Sequence, residues 1–363
     1  MAVRVGVIGG RFGAKVHIPA FLSEGYELVA VCTRREESAK ATADEFGVPN
    51  IFTDYNEMLR MPGLDAVAVV TPPALHHPIG MAALEAGKHV VCEKPFTLNA
   101  KEAHSLWRKA EDTGLTAMIA HEFRFASARA RVAELVQEGY IGTLHTCLVN
   151  LFLGARFDRV EKPITYDDIE AEGGGLLWGQ GSHSVDCLRH WFGDVTSVFG
   201  KVSTHLPQRT DPQTGAPVQA TADDAFMARL EFAKGGWASM TFNYAAGFGE
   251  GSRIEIYGSE GTLVTPEEPG ARNPAAHGTV LGARIGDKAL QELPIPERLE
   301  PFEDDRDVRL MPMRLLVREF ERGIQEGHSP SPSFHDAFRN QQVLDAIRES
   351  SVSGREVRIP LGE

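Results

Sequence analysis

The chain has 363 residues, 42% hydrophobic and 24% charged, and its 50 Asp and Glu against 37 Lys and Arg give a formal net charge of −13. That length exceeds one ordinary core and predicts two domains, while no apolar run approaches the roughly 18 residues of a membrane span. The acidic balance, with no basic run interleaved with aromatics, argues against nucleic acid as a direct partner. MAVRVGVIGG at the N-terminus is too short an apolar stretch for a secretory signal and reads as a strand entering a turn, so a cytoplasmic protein is expected.

From residue 3 to about 125, β-branched runs alternate with amphipathic stretches. VRVGVI (3–8), ELVAVC (27–32), DAVAVV (65–70), HVVC (89–92) and TAMIA (116–120) read as strands, and 38–46, 76–87 and 99–114 read as helices. Each parallel neighbour needs a crossover, and crossovers are usually helical, so the pattern predicts an α/β domain over 1–125 with a doubly wound parallel sheet. Asn99 is placed to cap a helix, and Gly87 and Gly114 stand where a left-handed C-terminal residue is wanted.

The first strand runs into IGGRFGAKVH (8–17). A glycine turn between strand and helix lets backbone N–H groups approach a pyrophosphate. Gly9 fits the first place of a G-x-G-x-x-G turn, Arg11 takes the second and Ala14 the third, and Gly9, Gly10, Arg11, Phe12 and Gly13 are the candidate contacts. The second strand ends VCTRREES (31–38), where an NAD site normally places an acid for the ribose 2′-hydroxyl. Thr33 and Arg34 stand there instead, which favours a 2′-phosphate and makes NADP the preferred cofactor, with NAD possible. The competing reading is that Arg34 and Arg35 are solvated charges at a helix entry, beside Glu36 and Glu37.

After the strand at 65–70 comes VTPPALHH (70–77), and after HVVC comes Glu93-Lys94-Pro95. Both lie at carboxyl strand ends, where ligands of open α/β sheets collect. Thr71, Pro72, His76 and Glu93 are therefore further candidates for cofactor contact, although Pro72-Pro73 also suits the start of a helix. Pro95 holds Lys94 extended and stops the strand ladder, which aims the lysine side chain. A strand-end lysine considered alone is more often a surface charge.

Beyond residue 126 the pattern changes. Strands are expected at 143–153, 197–206, 224–232, 237–245, 253–258 and 262–265, with Lys234-Gly235-Gly236 as a hairpin turn. These predict an α+β domain over 126–363 with a large, mostly antiparallel open sheet, whose exposed face would pair copies into a homodimer or homotetramer. Residues 266 to 304 read as a long surface excursion, and helices near 312–326 and 335–350 close the chain. The four cysteines, at 32, 92, 147 and 187, form no C-x-x-C pair and read as small buried hydrophobes.

Residues 173–186, GGGLLWGQGSHSVD, set a glycine-rich turn before a helix that begins near Ser182. Asp186 and His190 follow His183 at i+3 and i+7, too long a span for one metal ion, so no metal site is expected. His183 suits general acid–base work because imidazole titrates near neutrality. Tyr166 and Trp178 suit either a pocket lining or core packing, and Arg124 either a domain junction or a substrate contact.

Together, IGGRFGAKVH, the TPP loop with His76, AGKHVVCEKP, the HEFRF segment (121–125) and GGGxLxxxGSHxxD resemble the glucose-fructose oxidoreductase, inositol dehydrogenase and MocA family over nearly the whole chain. The resemblance implies an N-terminal Rossmann domain, a C-terminal domain whose open sheet is used in oligomers, and nicotinamide-dependent chemistry at sugar or cyclitol carbons. By motif it makes Lys94 the catalytic lysine and His183 the catalytic histidine. One departure stands out: the family commonly has Asp four residues before that histidine, where this chain has Gly179. The expected reaction moves hydride to or from a secondary alcohol or ketone of a small-molecule polyol, with His183 taking the alcohol proton and Lys94 polarising the same oxygen. Two rivals stand beside it: a cofactor-binding sensor without turnover, motivated by Gly179 and Arg11, and a dehydrogenase of a non-sugar cyclic diol.

Overall fold

The computed structural model describes residues 2–154, 163–266 and 278–362. The chain opens with β1 (Arg4–Ile8), a π turn over Gly13–His17, α1 (Ile18–Ser23), β2 (Glu27–Cys32), α2 (Glu36–Phe46), β3 (Asn50–Phe52) and α3 (Tyr55–Leu59). It continues through β4 (Ala66–Val69), α4 (His76–Glu85), β5 (His89–Cys92), α5 (Ala100–Thr113) and β6 (Ala117–Ile119). The six strands form one parallel sheet in the order β3-β2-β1-β4-β5-β6. Alternate residues feed two cores. Ile8, Val67, Val69, Val90 and Ile119 pack with Ile79, Leu84, Leu106 and Trp107 on one face, and Val5, Val7, Val31, Ala68 and Met118 pack with Ile18 and Phe21 on the other. Both faces being buried is why these strands read as unbroken apolar runs. Helix ends follow the expected punctuation: the Asn99 side chain accepts from the Glu102 N–H, and Gly87 and Gly114 adopt φ of 73° and 65°. The expected strand set lacked β3, a three-residue edge strand with no buried face to give it a pattern.

The second sheet is built from β7 (Leu144–Phe152), β8 (Val195–Ser203), β11 (Ala225–Phe232), β12 (Trp237–Asn243), β13 (Gly251–Gly258) and β14 (Gly261–Pro266), preceded by α6 (Ser127–Gln137) and interrupted by α7 (Ser182–Phe192). A separate ribbon, β9 (Gln208–Thr210) with β10 (Pro217–Gln219), lies between β8 and β11 in sequence. Adding β15 (Val280–Arg284), β16 (Gln291–Leu293) and β17 (Val357–Arg358) gives nine strands in the order β16-β15-β14-β13-β7-β12-β11-β8-β17. All neighbours are antiparallel except β7 and β12. The hairpin at Lys234-Gly235-Gly236 joins β11 to β12 as expected, with positive φ at both glycines. The chain then crosses β7 to lay β13 on its other side, which makes the β7–β12 pair parallel. Two strands, β15 and β16, fall inside the stretch expected to be a surface excursion; its part 267–277 lies outside the described residues. All four cysteines are free and buried.

The chain ends with α8 (Leu310–Glu326) and α9 (Phe334–Ser353). It divides into two compact units, Met1–Phe125 with Phe302–Phe338, and Ala126–Pro301 with Arg339–Glu363. The second unit is therefore not the continuous block 126–363 that the sequence suggested. The reason is the apolar face of α8: Leu310, Met313, Leu316, Val317 and Phe320 repeat at helical spacing and fill the core beneath β1 and α1. Tyr26 donates to the Val317 carbonyl at 2.8 Å, and Arg314 and Arg318 both bond Glu24.

Phe320→Ala is expected to cost about 3–5 kcal/mol, measured as a shift in the denaturant midpoint of the first unit. A loss below about 1 kcal/mol would remove α8 from that core.

Candidate active site

β1 ends at the centre of the parallel sheet, where the strand order reverses between β1 and β4, the place at which ligands of open α/β sheets collect. Gly9 has φ of 127°, and a Cβ there would meet the Val70 carbonyl oxygen at 2.0 Å, so no other residue fits. Arg11, standing where a second glycine is usual, itself adopts a left-handed φ of 40°. The chain thus keeps the glycine-like conformation and carries an exposed guanidinium on it. Gly10 and Gly13 complete the turn through a Gly13 N–H to Gly10 carbonyl bond of 2.8 Å. The Phe12 ring is covered by the Arg309 guanidinium at 4.8 Å. Arg309 is bonded to Asp307, which also pairs with Lys15 at 3.1 Å and is held well below the usual carboxylate range, chiefly by the Arg309 hydrogen bond.

At the end of β2, Thr33 spends its hydroxyl on the Arg35 carbonyl at 2.8 Å, while Arg34 is exposed. After β4, Thr71 and Pro72 lead into a short 3-10 turn. His76 is fully buried, with Nε2 2.8 Å from the Thr71 carbonyl and Nδ1 2.9 and 3.1 Å from those of Pro95 and Phe96. Both ring nitrogens face carbonyl oxygens inside the protein. His76, expected as a cofactor contact, instead clamps the loop after β4 to the loop after β5. Burial lowers its affinity for a second proton, against which the carbonyls and Glu93 pull upward.

Glu93, at the end of β5, is buried, with Oε1 2.7 Å from His17 Nε2 and Oε2 accepting the Lys94 N–H at 3.0 Å. Burial alone would raise its carboxyl, but the His17 hydrogen bond and the charges of His17, Lys94 and His76 hold it below the ordinary value. The Lys94–Pro95 bond is cis, and Lys94 is half-buried. After β6, Glu122 is also buried, and burial followed by the charge of Glu93 pushes it up to about 8. Arg124 donates to Ser331 Oγ at 2.6 Å and lies 3.6 Å from Asp336, so it fastens the chain returning after α8 to the first unit. His17, Glu122 and Arg309 belong to this strand-end edge, and no role for any of them was expected from sequence. His17 lies in IGGRFGAKVH and Glu122 in HEFRF, but their burial has no local signature.

In the second unit, a π turn over Leu177–Gly181 leads directly into α7, and His183 on its first turn is 2% exposed. Asp186, one turn on, is fully buried. Asp223 anchors the turn by accepting the Leu177 N–H at 2.8 Å, and Gly175, with φ of 121°, leaves room for that carboxylate. Trp178 is buried beneath the Arg348 guanidinium at 4.5 Å, whereas Tyr166 is 40% exposed and is not core packing. At Gly179 a Cβ would meet nothing within 4 Å, so the place of the family aspartate is open space. Lys94 belongs to the first unit and His183 to the second. Among the described residues no group of three or more His, Cys, Asp or Glu is arranged to hold a metal ion.

Residues 3–121 match the model of an oxidoreductase family with an NAD-binding Rossmann fold, GFO_IDH_MocA, and residues 130–264 match the GFO/IDH/MocA C-terminal domain. An uncharacterized oxidoreductase of Synechocystis sp. is 30% identical over 358 residues, covering 98% of this chain and 96% of the relative. A D-xylose 1-dehydrogenase (NADP(+)) of Haloferax volcanii is 26% identical over 98% of this chain and 99% of its own. A solved structure of levoglucosan dehydrogenase in complex with NADH and levoglucosan superposes with a TM-score of 0.88 at 26% identity, covering 99% of this chain and 100% of the other.

The position of Glu122 makes stability depend on pH in a stated direction. Folded, its carboxyl keeps a proton up to about 8, whereas the unfolded chain releases it around the ordinary 4.5. The burial cost is therefore absent below 4.5, grows through this window and is complete above 8. Glu122→Gln is expected to raise the denaturation midpoint over the parent at about pH 9 and to leave it unchanged at about pH 4. Equal gains at both would show that the carboxyl does not titrate in that window.

Proposed function

The chain belongs to the Gfo/Idh/MocA oxidoreductase family, and from that premise we propose that it moves hydride to or from a secondary alcohol or ketone of a sugar, cyclitol or related small polyol in the cytoplasm. It is an NAD(P)-dependent oxidoreductase acting on CH–OH groups. Relatives named for levoglucosan, D-xylose and scyllo-inositol support the polyol class. The observation that carries the reading is the strand-end edge itself, where Glu93, Lys94 and cis-Pro95 stand after β5, one strand beyond Thr71 and two beyond the glycine turn.

The edge fits a dinucleotide. His17 Nδ1, Thr71 Oγ1 and Glu122 Oε2 are buried without a hydrogen-bond partner among the described residues, and buried polar atoms are rarely left so unless a ligand or water satisfies them. When bound, the nicotinamide supplies the hydride acceptor or donor. Gly9, Gly10, Arg11, Phe12 and Gly13 would hold the pyrophosphate, and Thr71, Pro72 and Glu93 would border the other half of the molecule. NADP is the preferred form on this reading, because exposed Arg34 stands where an NAD site has an acid. Lys94 would donate to the substrate oxygen and stabilise charge developing there, and His183 would accept the alcohol proton. Trp178 and Tyr166 are proposed to border the substrate, and Arg124 to act indirectly by fixing the first unit. Phe199, Met227, Trp237 and Tyr257, all exposed on strands of the nine-stranded sheet, support pairing of that sheet between copies. No helix among the described residues is long and apolar enough to cross a membrane.

Turnover of NADP+ with a panel of sugars, anhydrosugars and cyclitols tests the reaction. Lys94→Ala is expected to lower kcat by about 10²–10⁴-fold while NADPH affinity stays within about threefold. Equal losses in both would reduce Lys94 to a binding residue. Arg34→Ala is expected to weaken NADPH by roughly ten- to hundredfold and NADH by less than about twofold. Parent enzyme binding NADH more tightly than NADPH would overturn the preference.

A further inference from the structure

The first unit holds two buried carboxyls, Glu93 and Glu122, at the ends of neighbouring strands β5 and β6. Only Glu93 has both carboxyl oxygens satisfied inside the protein. Glu93 has His17 and the Lys94 N–H as partners, whereas Glu122 Oε2 has none among the described residues. The charged groups facing Glu122 are Glu93 and Lys94 from the end of β5 and Arg309 from the start of α8, with His17 one step further through Glu93. Glu93 opposes its ionisation, and Lys94 and Arg309 favour it, so its protonation answers to any further charge at this edge.

Strand order says what that further charge is. A dinucleotide whose ribose meets the end of β2 and whose pyrophosphate meets the turn after β1 has its other base over β4, β5 and β6. That base is a cation when oxidised and neutral when reduced. A cation at the edge stabilises ionised Glu122, and a neutral ring leaves the carboxyl next to Glu93 with reason to keep its proton.

We propose that Glu122 is the proton-linked charge of the cofactor pocket, ionised beside the oxidised nicotinamide and protonated beside the reduced one. It thereby sets how the preference between the two cofactor forms varies with pH. Oxidation of a carbinol releases one proton and removes one positive charge from the cofactor, and Glu122 is the buried group whose ionisation follows that charge. Glu122 is a positioning residue in this role, because it acts through the field at the pocket and exchanges no atoms with substrate. The inference rests on the proposed nicotinamide site and deepens it.

The test is binding, not turnover. Dissociation constants of NADP+ and NADPH are measured for the parent, Glu122→Gln and Glu122→Asp between about pH 6 and pH 10. In the parent, the ratio favouring NADP+ is expected to rise by about tenfold across the titration near 8. In Glu122→Gln it is expected to stay flat, and Glu122→Asp is expected to restore a pH dependence with a displaced midpoint. Calorimetry in two buffers of different ionisation enthalpy is expected to show net proton release when NADP+ binds the parent near pH 8, and none from this site in Glu122→Gln. A pH-dependent ratio surviving in Glu122→Gln, or a flat ratio in the parent, overturns the proposal while leaving the oxidoreductase reading intact. Binding of neither cofactor form by the folded parent overturns both.

Discussion

The bond from His17 to Glu93 is the constraint on which the candidate site depends. A carboxylate moved out of water is tolerated only when charge and hydrogen bonds replace the lost hydration. Glu93 meets that condition with His17 on one oxygen and the Lys94 N–H on the other. His17 lies at the end of the π turn that follows the glycine loop, so the bond fixes that turn against the end of β5. His76 does the same between β4 and β5 through carbonyl oxygens. Three strand ends of the parallel sheet are thus locked to one another by two buried imidazoles. Losing one member of such a buried pair typically costs about 3–5 kcal/mol.

Much of the framework was legible in the sequence because it is local. ELVAVC and HVVC coincide with β2 and β5, and the glycine pair at 235 and 236 makes the hairpin their positive φ demands. Those features depend on periodicity, caps and turn chemistry within a few residues. What was not legible depends on distance along the chain. His17 and Glu93 are 76 residues apart, and Arg309 reaches Phe12 from nearly three hundred residues away. The return of 302–338 to the first unit was hidden for the same reason: the apolar face of α8 states that it packs, not against what. Short strands such as β3, β16 and β17 were missed because three residues or fewer cannot display a period. At the site, Lys94 and His183 were readable as residue types after a strand and at a helix start, whereas the burial of Glu122 was not.

Two departures from the expected residue type fall at the candidate site. Arg11 occupies a left-handed backbone position that costs a non-glycine residue of order 1 kcal/mol. Gly179 leaves vacant a position where a side chain meets no obstacle. Departures of this kind concentrate where function outweighs local preference. Arg11 keeps the left-handed turn and adds a cation to it, so the change is a gain in charge without a loss of geometry. Gly179 is the reverse, a loss of charge in which the helix start and His183 are unaltered.

The two units differ in how freely such changes can accumulate. At the strand-end edge each polar group is coupled to the next: Glu93 sets the charge felt by Glu122, Lys94 offsets it, and His76 holds the loops that present them. Substituting one member of that set changes the proton affinity of the others, so the edge varies as a unit or not at all. The turn before α7 is held from behind, by Asp223 on the Leu177 N–H and by the Arg348–Trp178 stack, and position 179 takes part in neither contact. A residue there can change without moving the histidine four places on. The strand-end edge of the first unit is therefore constrained as a set, whereas position 179 in the second unit is free to change by itself.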